Sequence, residues 1–337
     1  MHIYLPSGYV NMRDMILQDR YPFVIVTGGR GTGKTYGALE TAKMEELPFI
    51  LIRRTQTQVD IIATPAKNPF KKLNKNHHWD IMVKSLDKYT YGFFDDDEMI
   101  GQAAALSTFA NLRGFDASDI THAFYDEFQP EKHQAAIRGE GAALLNVYET
   151  INRNRELEEP PEPPLHLIMM SNTNDIANPI FMELDLVNVA ARMQERKQLY
   201  YINERKGLLI VNLDSSPISA RKKKTALGRL IEGTSSEYGG MAFDNEYIDD
   251  SIAIIRSRNL RGYSPLVSVA GITIYKHRSN GLYYASEHLA GSPEVYSTAS
   301  ASIEKFRKKY WYLWGVYLNN DIDFESKLCA VIFEKLW

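Results

Sequence analysis

The chain has 337 residues, 44% of them apolar and 24% charged, and its formal net charge is −3. This composition is typical of a globular protein with a sizeable core, and the length predicts two domains. The small net charge excludes a protein that binds polyanions over its whole surface, so nucleic-acid affinity requires a local patch. The single cysteine, Cys329, excludes an intramolecular disulfide. With no signal-peptide pattern and no apolar run of about 20 residues, the sequence predicts a cytoplasmic protein that does not bind membranes.

Short, nearly continuous apolar runs recur along the first two-thirds of the chain, with longer helical patterns between them. Continuous apolar runs are typical of strands that are buried on both faces, and their alternation with helices predicts an α/β fold with a parallel sheet. The candidate strands cover 23–26, 48–54, 120–127, 165–172 and 207–213. Between the second and the third, residues 82–101 predict a hairpin with an acidic tip in solvent.

The texture changes after Leu213, where the chain becomes polar and rich in serine and glycine, as interdomain linkers are. From Arg192 to Arg229 ten Lys and Arg residues stand against three Asp and Glu, a local net charge of +7. The remainder predicts a small α+β domain, with strands at 266–275 and 281–287 in a hairpin. A helix over 303–318 would bury one face, formed by Ile303, Phe306, Tyr310, Leu313 and Tyr317.

A glycine-rich stretch follows the first predicted strand. Residues 28–35, GGRGTGKT, fit the pattern G-x-x-x-x-G-K-[ST] at every required position. Glycines let backbone N–H groups turn towards phosphate oxygens at a helix N-terminus, whose dipole adds partial positive charge. In this pattern the lysine contacts the β- and γ-phosphates and the threonine binds Mg²⁺. The sequence therefore predicts an ATP site at Gly28, Gly29, Arg30, Gly31, Thr32, Gly33, Lys34 and Thr35.

Two acidic residues end the third predicted strand. Asp126 is placed to hold Mg²⁺ through water, and Glu127 to orient and deprotonate an attacking water. Asp126 follows Lys34 by 92 residues, which leaves room for an additional strand between the two motif strands. This arrangement is typical of the ATPases with an additional catalytic glutamate, a class that includes helicases, recombinases and DNA translocases.

Polar residues at two further places are candidates for the site. Ser171 and Asn172 end the fourth strand, where a polar side chain can sense the γ-phosphate, although such residues also begin turns. Arg153 and Arg155 end a predicted helix. An arginine offered across a subunit boundary would stabilise the transferring phosphoryl group, whereas arginines at a helix end also complement the helix dipole. Residue chemistry leaves both readings open.

Together these motifs resemble the DNA-packaging ATPases of short-tailed phages with protein-capped genomes, the phi-twenty-nine-like group. The matching stretches are GGRGTGKT, ILIRR, FYDEF, INRNRE, SN followed by NPIF, and RKKKTALGRLIEGTSSEYGGMAFDNEYIDDS at 221–251. The last stretch lies outside the general ATPase motifs and is the most discriminating. The resemblance covers residues 20 to about 260 and weakens towards the C-terminus.

The resemblance implies a homopentameric ring motor that binds the portal of a prohead in the host cytoplasm and pushes double-stranded DNA into it. A structural packaging RNA at the portal is a further partner in this family. The implied fold is a RecA-like P-loop ATPase domain followed by a degenerate RNase H-like nuclease. The expected division is 1–214 for the ATPase domain, 215–244 for a basic linker and 245–337 for the C-terminal domain.

The resemblance also assigns two arginines. Arg30 corresponds to the additional arginine of packaging P-loops, and Arg153 to the family's trans-acting arginine finger. Relatives can carry a basic residue just after the paired arginines of the second strand, where this chain has Thr55 and Gln56. The sequence therefore offers no cation for a second trans-acting role at that place.

The C-terminal domain lacks the carboxylate pattern of an active nuclease. Two-metal hydrolysis needs carboxylates that converge on ions about 4 Å apart, usually led by one on the first strand. Residues 266–275 contain none, which leaves Glu287, Asp321, Asp323 and Glu325 without that partner. We therefore predict that the domain has no nuclease activity.

The basic residues after Leu213 have two readings. Charge runs are usually solvated surface. In the functional reading they grip the phosphates of double-stranded DNA or of a structural RNA without reading sequence. The residues concerned are Arg221, Lys222, Lys223, Lys224 and Arg229.

We interpret the sequence as an ATP-driven translocase that packages double-stranded viral DNA, with ATP and Mg²⁺ as cofactors and Lys34, Glu127 and Arg153 as catalytic residues. The alternatives are a headful-type terminase with an active nuclease and a nucleotide-controlled clamp that hydrolyses slowly. A GTPase switch is disfavoured because NKNH at 74–77 lacks the aspartate of N-K-x-D. A nucleotide kinase is disfavoured because it has no use for Glu127.

Overall fold

The computed structural model describes residues 2–111, 117–130, 134, 137, 139–173, 175–213, 216–231 and 252–337. The chain divides into two compact units, Met1–Leu184 with Arg192–Ile248 and Asp185–Ala191 with Asp249–Trp337. No helix in the described part of the chain is long and apolar enough to cross a membrane.

Nine strands form the sheet of the first unit. They are β1 Phe23–Thr27, β2 Phe49–Arg53, β3 Met82–Ser85, β4 Tyr91–Asp95, β5 Glu98–Ala105, β6 His122–Asp126, β7 His166–Ser171, β8 Tyr200–Asn203 and β9 Leu208–Asn212. The helices as far as residue 231 are α1 Met12–Ile16, α2 Lys34–Met44, α3 Gln56–Ile62, α4 Lys71–His77, α5 Glu140–Asn152, α6 Pro179–Glu183, α7 Val187–Glu195, α8 Pro217–Lys223 and α9 Ala226–Ile231.

The order of the strands in this sheet is β3-β4-β5-β2-β6-β7-β1-β9-β8. The six strands from β5 to β9 in that order are parallel, and antiparallel pairs close both edges. β7 lies between β1, which leads to the P-loop, and β6, which ends at the predicted carboxylates. An additional strand therefore lies between the two motif strands in the sheet, but it is β7, which follows both motifs in sequence. The chain between Lys34 and Asp126, whose length led to the prediction, forms β2, β3, β4 and β5.

The central strands are buried on both faces, which explains their continuous apolar runs. Every residue of β2, β6, β7 and β9 is buried, and only the first residue of β1 is partly exposed. Aromatic side chains fill one part of this core, where the ring centroids of neighbours lie between 5.3 and 6.3 Å apart: Phe49, Phe70, Phe93 and Phe124. Full burial of one such side chain contributes about 1.5–3 kcal/mol to folding.

The predicted hairpin at 82–101 is confirmed as the antiparallel strands β3, β4 and β5 at one edge of the sheet. Its second turn contains Asp96 and Asp97, which are exposed. Asp95 is held by Lys43 at 2.6 Å. The β4–β5 turn therefore presents charge to solvent, as predicted, whereas the edge strand β3 begins with the exposed apolar residue Met82.

The second unit is the small α+β unit that the sequence predicts. Its strands are β10 Ile254–Ile255, β11 Tyr263–Val269, β12 Ile272–His277, β13 Tyr283–Ser286, β14 Glu294–Tyr296 and β15 Ile322–Phe324, in the order β10-β15-β13-β12-β11-β14. Its helices after residue 252 are α10 Ser300–Tyr310, α11 Tyr312–Leu318 and α12 Lys327–Lys335. The predicted hairpin between 266–275 and 281–287 is present as β12 and β13.

Two predictions for this unit are wrong in detail. Residues 266–275 are not one strand, because the chain turns at Ala270 and Gly271, whose φ angles are 48° and 89°. Two left-handed residues suit the twist of a tight hairpin. The predicted helix over 303–318 is two helices that meet at Trp311. The apolar face is confirmed for these residues, which are buried: Phe306, Tyr310, Leu313 and Tyr317. Ile303, also predicted to be buried, is only partly buried against the same core.

Candidate nucleotide site

A cavity of about 410 Å³ opens at the carboxyl ends of β1, β6 and β7. Parallel strands bring their carboxyl ends to one edge of the sheet, where α/β proteins commonly bind ligands. The lining joins the P-loop to the predicted carboxylates and to the end of β7: Arg30, Gly31, Thr32, Gly33, Lys34, Thr35, Tyr36, Asp126, Glu127, Ser171 and Asn172.

The P-loop runs from the end of β1 to the start of α2. Two of its glycines, Gly31 at φ 68° and Gly33 at φ 96°, are in the left-handed region, which a Cβ disfavours. The Nζ of Lys34 donates to the carbonyl oxygens of Gly28 at 2.9 Å and Gly29 at 3.1 Å. The ammonium group therefore lies against the loop that the sequence predicts to cradle phosphates.

Lys34 carries a charge in a poorly solvated place. Its side chain is buried, and this burial is the main reason why the pKa of Lys34 falls to about 8. Asp126 opposes the shift, whereas the positive charge of Lys222 adds to it. A desolvated ammonium group is stabilised by a nearby anion, so the site favours a ligand with negative charge.

Thr35 and Asp126 meet as their predicted metal role requires. The Thr35 hydroxyl donates to Asp126 Oδ2 at 2.8 Å. Burial is the main cause that raises the pKa of the Asp126 carboxyl, and Arg53 is the strongest opposing influence. Asp126 Oδ1 also accepts from the backbone N–H of Glu127 at 3.1 Å.

Arg53, at the end of β2, joins the two carboxylates, and sequence reasoning missed this role. Its Nη2 lies 2.8 Å from Asp126 Oδ2, and its Nη1 lies 2.5 Å from Glu127 Oε2. β2 and β6 are parallel neighbours, with Ile52 beside Tyr125 in the register. The residues that follow this pair therefore end side by side at the same edge of the sheet.

Glu127 has an unusual backbone. Its φ angle is 57°, in the left-handed region, where a residue with a Cβ is strained by roughly 1–2 kcal/mol. Its side chain is about half exposed, at 54%, whereas Asp126 beside it is buried. Strained residues that persist often serve function. Here the left-handed turn at Glu127 leaves the Asp126 carboxylate in the core and the Glu127 carboxylate at the mouth of the cavity.

The residues predicted after β7 have different environments. Ser171 is buried, and its Oγ accepts from the backbone N–H of Gln129 at 3.1 Å. Its carbonyl oxygen accepts from the N–H of Gly28 at 3.2 Å. Ser171 thus connects the P-loop with the segment after Glu127. Asn172 is partly exposed and lines the cavity.

The structure separates the two arginines that follow α5. Arg155 is buried, and its Nη2 donates to the carbonyl oxygens of Ile120 at 3.0 Å and Ile151 at 3.2 Å. It therefore holds the end of the helix. Arg153 is exposed, is left-handed at φ 46°, and is not among the described residues that line the cavity of its own chain.

A second buried ion pair, also missed by sequence reasoning, lies on the opposite side of β2. Arg54 is 1% exposed, and its Nε and Nη2 donate to the Glu140 carboxylate at 2.7 and 2.8 Å. The Tyr125 hydroxyl donates to Glu140 Oε1 at 2.8 Å. This bidentate pair ties the first turn of α5 to β2 and β6. The helix that it anchors ends at Arg153.

Thr55 and Gln56, the departure from the family pattern, take part in local structure. The Thr55 hydroxyl accepts from the Gln58 N–H, and the Gln58 side chain accepts from the Thr55 N–H, which forms a capping box at the start of α3. The Gln56 amide donates to Asp60 at 2.9 Å and accepts from Thr108 at 2.7 Å. These two residues therefore serve the start of α3.

The predicted basic linker contains two helices, α8 and α9. The Nη1 of Arg221 donates to the carbonyl oxygen of Ser7 at 3.1 Å, and the Nζ of Lys222 donates to the carbonyl oxygen of Arg30 in the P-loop. Lys223 is exposed. The sequence did not predict that part of this run reaches the phosphate loop.

The rest of the predicted basic group lies nearby in sequence. Lys224 and Arg229 are exposed, and the Nη1 of Arg229 donates to the carbonyl oxygen of Lys224 at 2.7 Å. Residues 232–251, which complete the discriminating stretch, lie outside the described residues.

Comparison with known proteins identifies the family. A model of the podovirus DNA encapsidation protein (Gp16) matches residues 6–303. The chain belongs to this family. It is similar to the DNA packaging protein of Bacillus phage PZA, with 29% identity over 350 residues that cover 98% of this chain and 97% of that protein. It is also similar to the DNA packaging protein of Bacillus phage B103, with 27% identity and coverage of 91% and 94%. DNA packaging is therefore its function.

Solved structures support the fold. The chain is similar to a structure described as the bacteriophage Phi-29 viral genome packaging motor assembly, with a TM-score of 0.68, 23% identity and coverage of 99% of this chain and 98% of that chain. The Phi-28 gp11 DNA packaging motor gives a TM-score of 0.61 at 18% identity, with coverage of 98% and 97%. At these identities the likeness supports the fold alone, an α/β fold with a large, mostly parallel sheet.

Proposed function

We propose that the chain is an ATPase that drives double-stranded viral DNA into a preformed capsid. The observation that carries the proposal is the convergence of Lys34, Thr35, Asp126 and Glu127 on one cavity in a DNA encapsidation protein. A P-loop with its lysine binds polyphosphate, and an aspartate followed by a glutamate serves Mg²⁺ and the attacking water. The proposed substrate is ATP.

The donor atoms at the predicted metal site fit Mg²⁺. The Thr35 hydroxyl and the Asp126 carboxylate present oxygen atoms 2.8 Å apart, and Mg²⁺ prefers oxygen ligands of this kind. Thr35 would bind the ion, and Asp126 would hold it through water. Bound Mg²⁺ supplies neutralisation of charge on the β- and γ-phosphates.

The protein residues divide the remaining work. Lys34 holds phosphate oxygens, and Glu127 accepts the proton of the attacking water at the mouth of the cavity. Arg53 positions Glu127 through the contact at 2.5 Å and also holds Asp126. We propose that Asn172, which lines the cavity, senses the terminal phosphate. Arg30, which also lines it, contributes a further positive charge.

We propose that the motor is a homo-oligomeric ring, a pentamer by family resemblance, in which Arg153 of one subunit completes the site of its neighbour. Arg153 is exposed at the end of a helix anchored by the buried pair of Arg54 and Glu140. A rigid helix with an exposed terminal arginine suits the delivery of a charge across a subunit boundary. The trans-acting charge would stabilise the phosphoryl group in the transition state.

The proposed partners are double-stranded DNA, the portal of the prohead and a structural packaging RNA. The exposed basic residues of α8 and α9, with Lys224 between them, remain the proposed contacts to nucleic-acid phosphates: Arg221, Lys223, Lys224 and Arg229. Lys222, the remaining member of the predicted group, contacts the P-loop instead. Lysines suit this role because point charges grip a backbone without reading sequence. The proposed location is the host cytoplasm and, transiently, the portal vertex.

We also propose that the second unit does not cleave DNA. Three of the four carboxylates that sequence analysis singled out have structural partners there, and the fourth, Asp321, is exposed. Asp323 accepts from Arg258 Nε at 2.7 Å, and Glu325 accepts from the Ser286 hydroxyl at 2.6 Å. Glu287 accepts from the Ser326 hydroxyl at 2.7 Å. The strand β11, like the predicted strand 266–275, carries no carboxylate.

The test is the ATPase rate with and without long double-stranded DNA, at several protein concentrations, for the unmodified protein and for Glu127→Gln. We expect DNA to raise the rate, the rate per subunit to climb with concentration, and Glu127→Gln to lose about 10²–10⁴-fold in turnover while still binding ATP. Glu98→Gln, at the exposed tip of the β4–β5 hairpin, is the matched control and should be unchanged.

Three results would redirect the proposal. A rate that DNA does not change at any concentration, even with proheads added, would favour a nucleotide-controlled clamp. Metal-dependent cleavage of the DNA in the same reactions would favour a headful-type terminase with a working nuclease. Near-normal turnover of Glu127→Gln would remove Glu127 from the mechanism.

A further inference from the structure

Lys222 lies apart from the other basic residues of its run because it reaches the phosphate loop. Its Nζ donates to the carbonyl oxygen of Arg30, and its side chain is half-buried. A methyl group placed on Gly31 would lie 3.5 Å from Lys222 Cε and 3.6 Å from its Nζ. The side chain therefore lies directly against the middle of the P-loop.

The position of α8 makes this contact a built feature of the fold. β9 is a parallel neighbour of β1, and the N–H of Leu213, just after β9, donates to the carbonyl oxygen of Thr27 at 2.8 Å. Gly28 approaches Leu213 so closely that a Cβ on it would lie 2.5 Å from the Leu213 Cβ. Helix α8 starts four residues after Leu213, and its residues Ile218 and Ser219 are buried.

Two ammonium groups are thus held by three consecutive carbonyl oxygens of one loop. Lys34 takes those of Gly28 and Gly29, and Lys222 takes that of Arg30. The positive charges of Lys34 and Lys222 repel each other, and burial strengthens this repulsion because it removes part of their hydration. An anion that contacts both relieves the repulsion. A chain of phosphates along the loop has the required charge and length.

We propose that Lys222 binds the polyphosphate of the nucleotide in cis, as a second lysine of the phosphate site, and is not a contact to DNA. The inference rests on the proposed function, since it deepens the nucleotide site. Lys222 supplies one charge-assisted hydrogen bond to a phosphate oxygen in exchange for its contact to the Arg30 carbonyl. Lys223 and Lys224, which are exposed, keep the proposed role at nucleic acid.

The test measures binding of a non-hydrolysable ATP analogue to the full chain by titration calorimetry. Lys222→Met should weaken the affinity about tenfold, the effect of losing roughly 1.4 kcal/mol, and Lys222→Arg should restore most of it because the charge returns. Lys223→Met and Lys224→Met are matched controls on the same run and should bind the analogue normally. In parallel, Lys222→Met should leave the salt dependence of DNA binding unchanged.

Unchanged analogue affinity in Lys222→Met overturns the inference. If the slope of log DNA affinity against log salt concentration is then smaller by about one in this variant, Lys222 contacts a DNA phosphate instead. If the unmodified protein does not bind the analogue, the proposed function fails together with the inference. If the unmodified protein binds it and Lys222→Met binds equally well, only the inference fails. Recovery in Lys222→Arg separates a lost charge from a misfolded variant.

Discussion

In each unit, an arginine side chain binds an aspartate that lies on a strand. In the first, Arg53 Nη2 lies 2.8 Å from Asp126 Oδ2 on β6, and the Asp126 side chain is 2% exposed. In the second, Arg258 Nε lies 2.7 Å from Asp323 Oδ2 on β15, and the Asp323 side chain is 11% exposed. The same pair of residue types thus occurs on a strand of each unit at similar distances, with Asp126 at the end of its strand and Asp323 in the middle.

The surroundings of the two pairs differ. Asp126 also accepts from Thr35 and lies beside a strained glutamate on a cavity that Lys34 lines. Asp323 has Arg256 near it at 4.0 Å in addition to Arg258. The second cation near Asp323 suits a structural ion pair, whereas the hydroxyl and the second carboxylate beside Asp126 suit the proposed roles in binding a metal and activating water. The neighbours of an ion pair, and not the pair itself, therefore indicate chemistry.

The largest difference should appear when the arginines are removed. Arg53→Met leaves the buried Asp126 carboxylate without its cation, so we expect the free energy of unfolding to fall by about 3–5 kcal/mol. Arg258→Met should cost much less, because Arg258 is more exposed than Arg53 and its charge is better screened. Urea unfolding without nucleotide, followed for the transition of each unit, measures both. Equal losses would show that the two pairs are energetically alike.

The second comparison concerns activity. Asp126→Asn removes the charge that we propose holds Mg²⁺ through water, and we expect turnover or metal affinity to fall about 10–100-fold. Asp323→Asn, the same change in the second unit, should leave ATP turnover unchanged. Steady-state hydrolysis at increasing Mg²⁺ measures both. A comparable loss in Asp323→Asn would place the second unit in the ATPase mechanism.

Much of the first unit could be predicted from local patterns. The P-loop and the strand that ends at Asp126 and Glu127 are contiguous in sequence, so composition and order suffice to find them. The spacing of the two motifs indicated further strands, and β2, β3, β4 and β5 lie there, but it could not place β7 between the motif strands because β7 follows both in sequence. The absence of a carboxylate from the first predicted strand of the second unit was also evident from the sequence. The turn at Ala270 was missed because apolar residues continue through it.

The contacts that were missed join residues far apart in the chain. Arg53 and Asp126 are 73 positions apart, and Arg54 and Glu140 are 86 apart. The pairing of β2 with β6 in the sheet brings Arg53 to Asp126, and the packing of the first turn of α5 brings Glu140 to Arg54. One signal was available: adjacent residues at the end of a strand point to opposite faces, so paired arginines there require two separate partners. Lys222 was grouped with its neighbours because a charge run does not reveal which member turns inwards.

A smaller effect follows from Lys34, whose pKa is lowered to about 8, mainly by burial. A bound phosphate raises the pKa of Lys34, so above pH 8 the complex keeps a proton that the free protein loses. Binding of the non-hydrolysable ATP analogue then requires proton uptake, and its affinity should fall with rising pH, approaching tenfold per pH unit. The phosphate itself is already ionised in this range.

Titration calorimetry from pH 7 to 10 measures that fall. Lys34→Arg is the matched variant, because a guanidinium stays charged over the whole range and its affinity should vary little with pH. A steep fall that persists in Lys34→Arg would assign the titration to another group.

The smallest effect concerns the backbone of Glu127, which has a matched position in the second unit. Glu127 and Ala270 are both left-handed, at φ 57° and 48°. Glycine should be more stable than alanine at each by about 1 kcal/mol, because it adopts this region without strain. At position 270 the comparison is the unmodified protein, which has alanine, against Ala270→Gly. At position 127 it is Glu127→Ala against Glu127→Gly, so that neither variant carries the carboxylate. Thermal unfolding should give similar gains, while turnover is lost only at 127. A gain at 270 alone would mean that the turn after Asp126 is unstrained, and the strain would then have no part in presenting Glu127 to water.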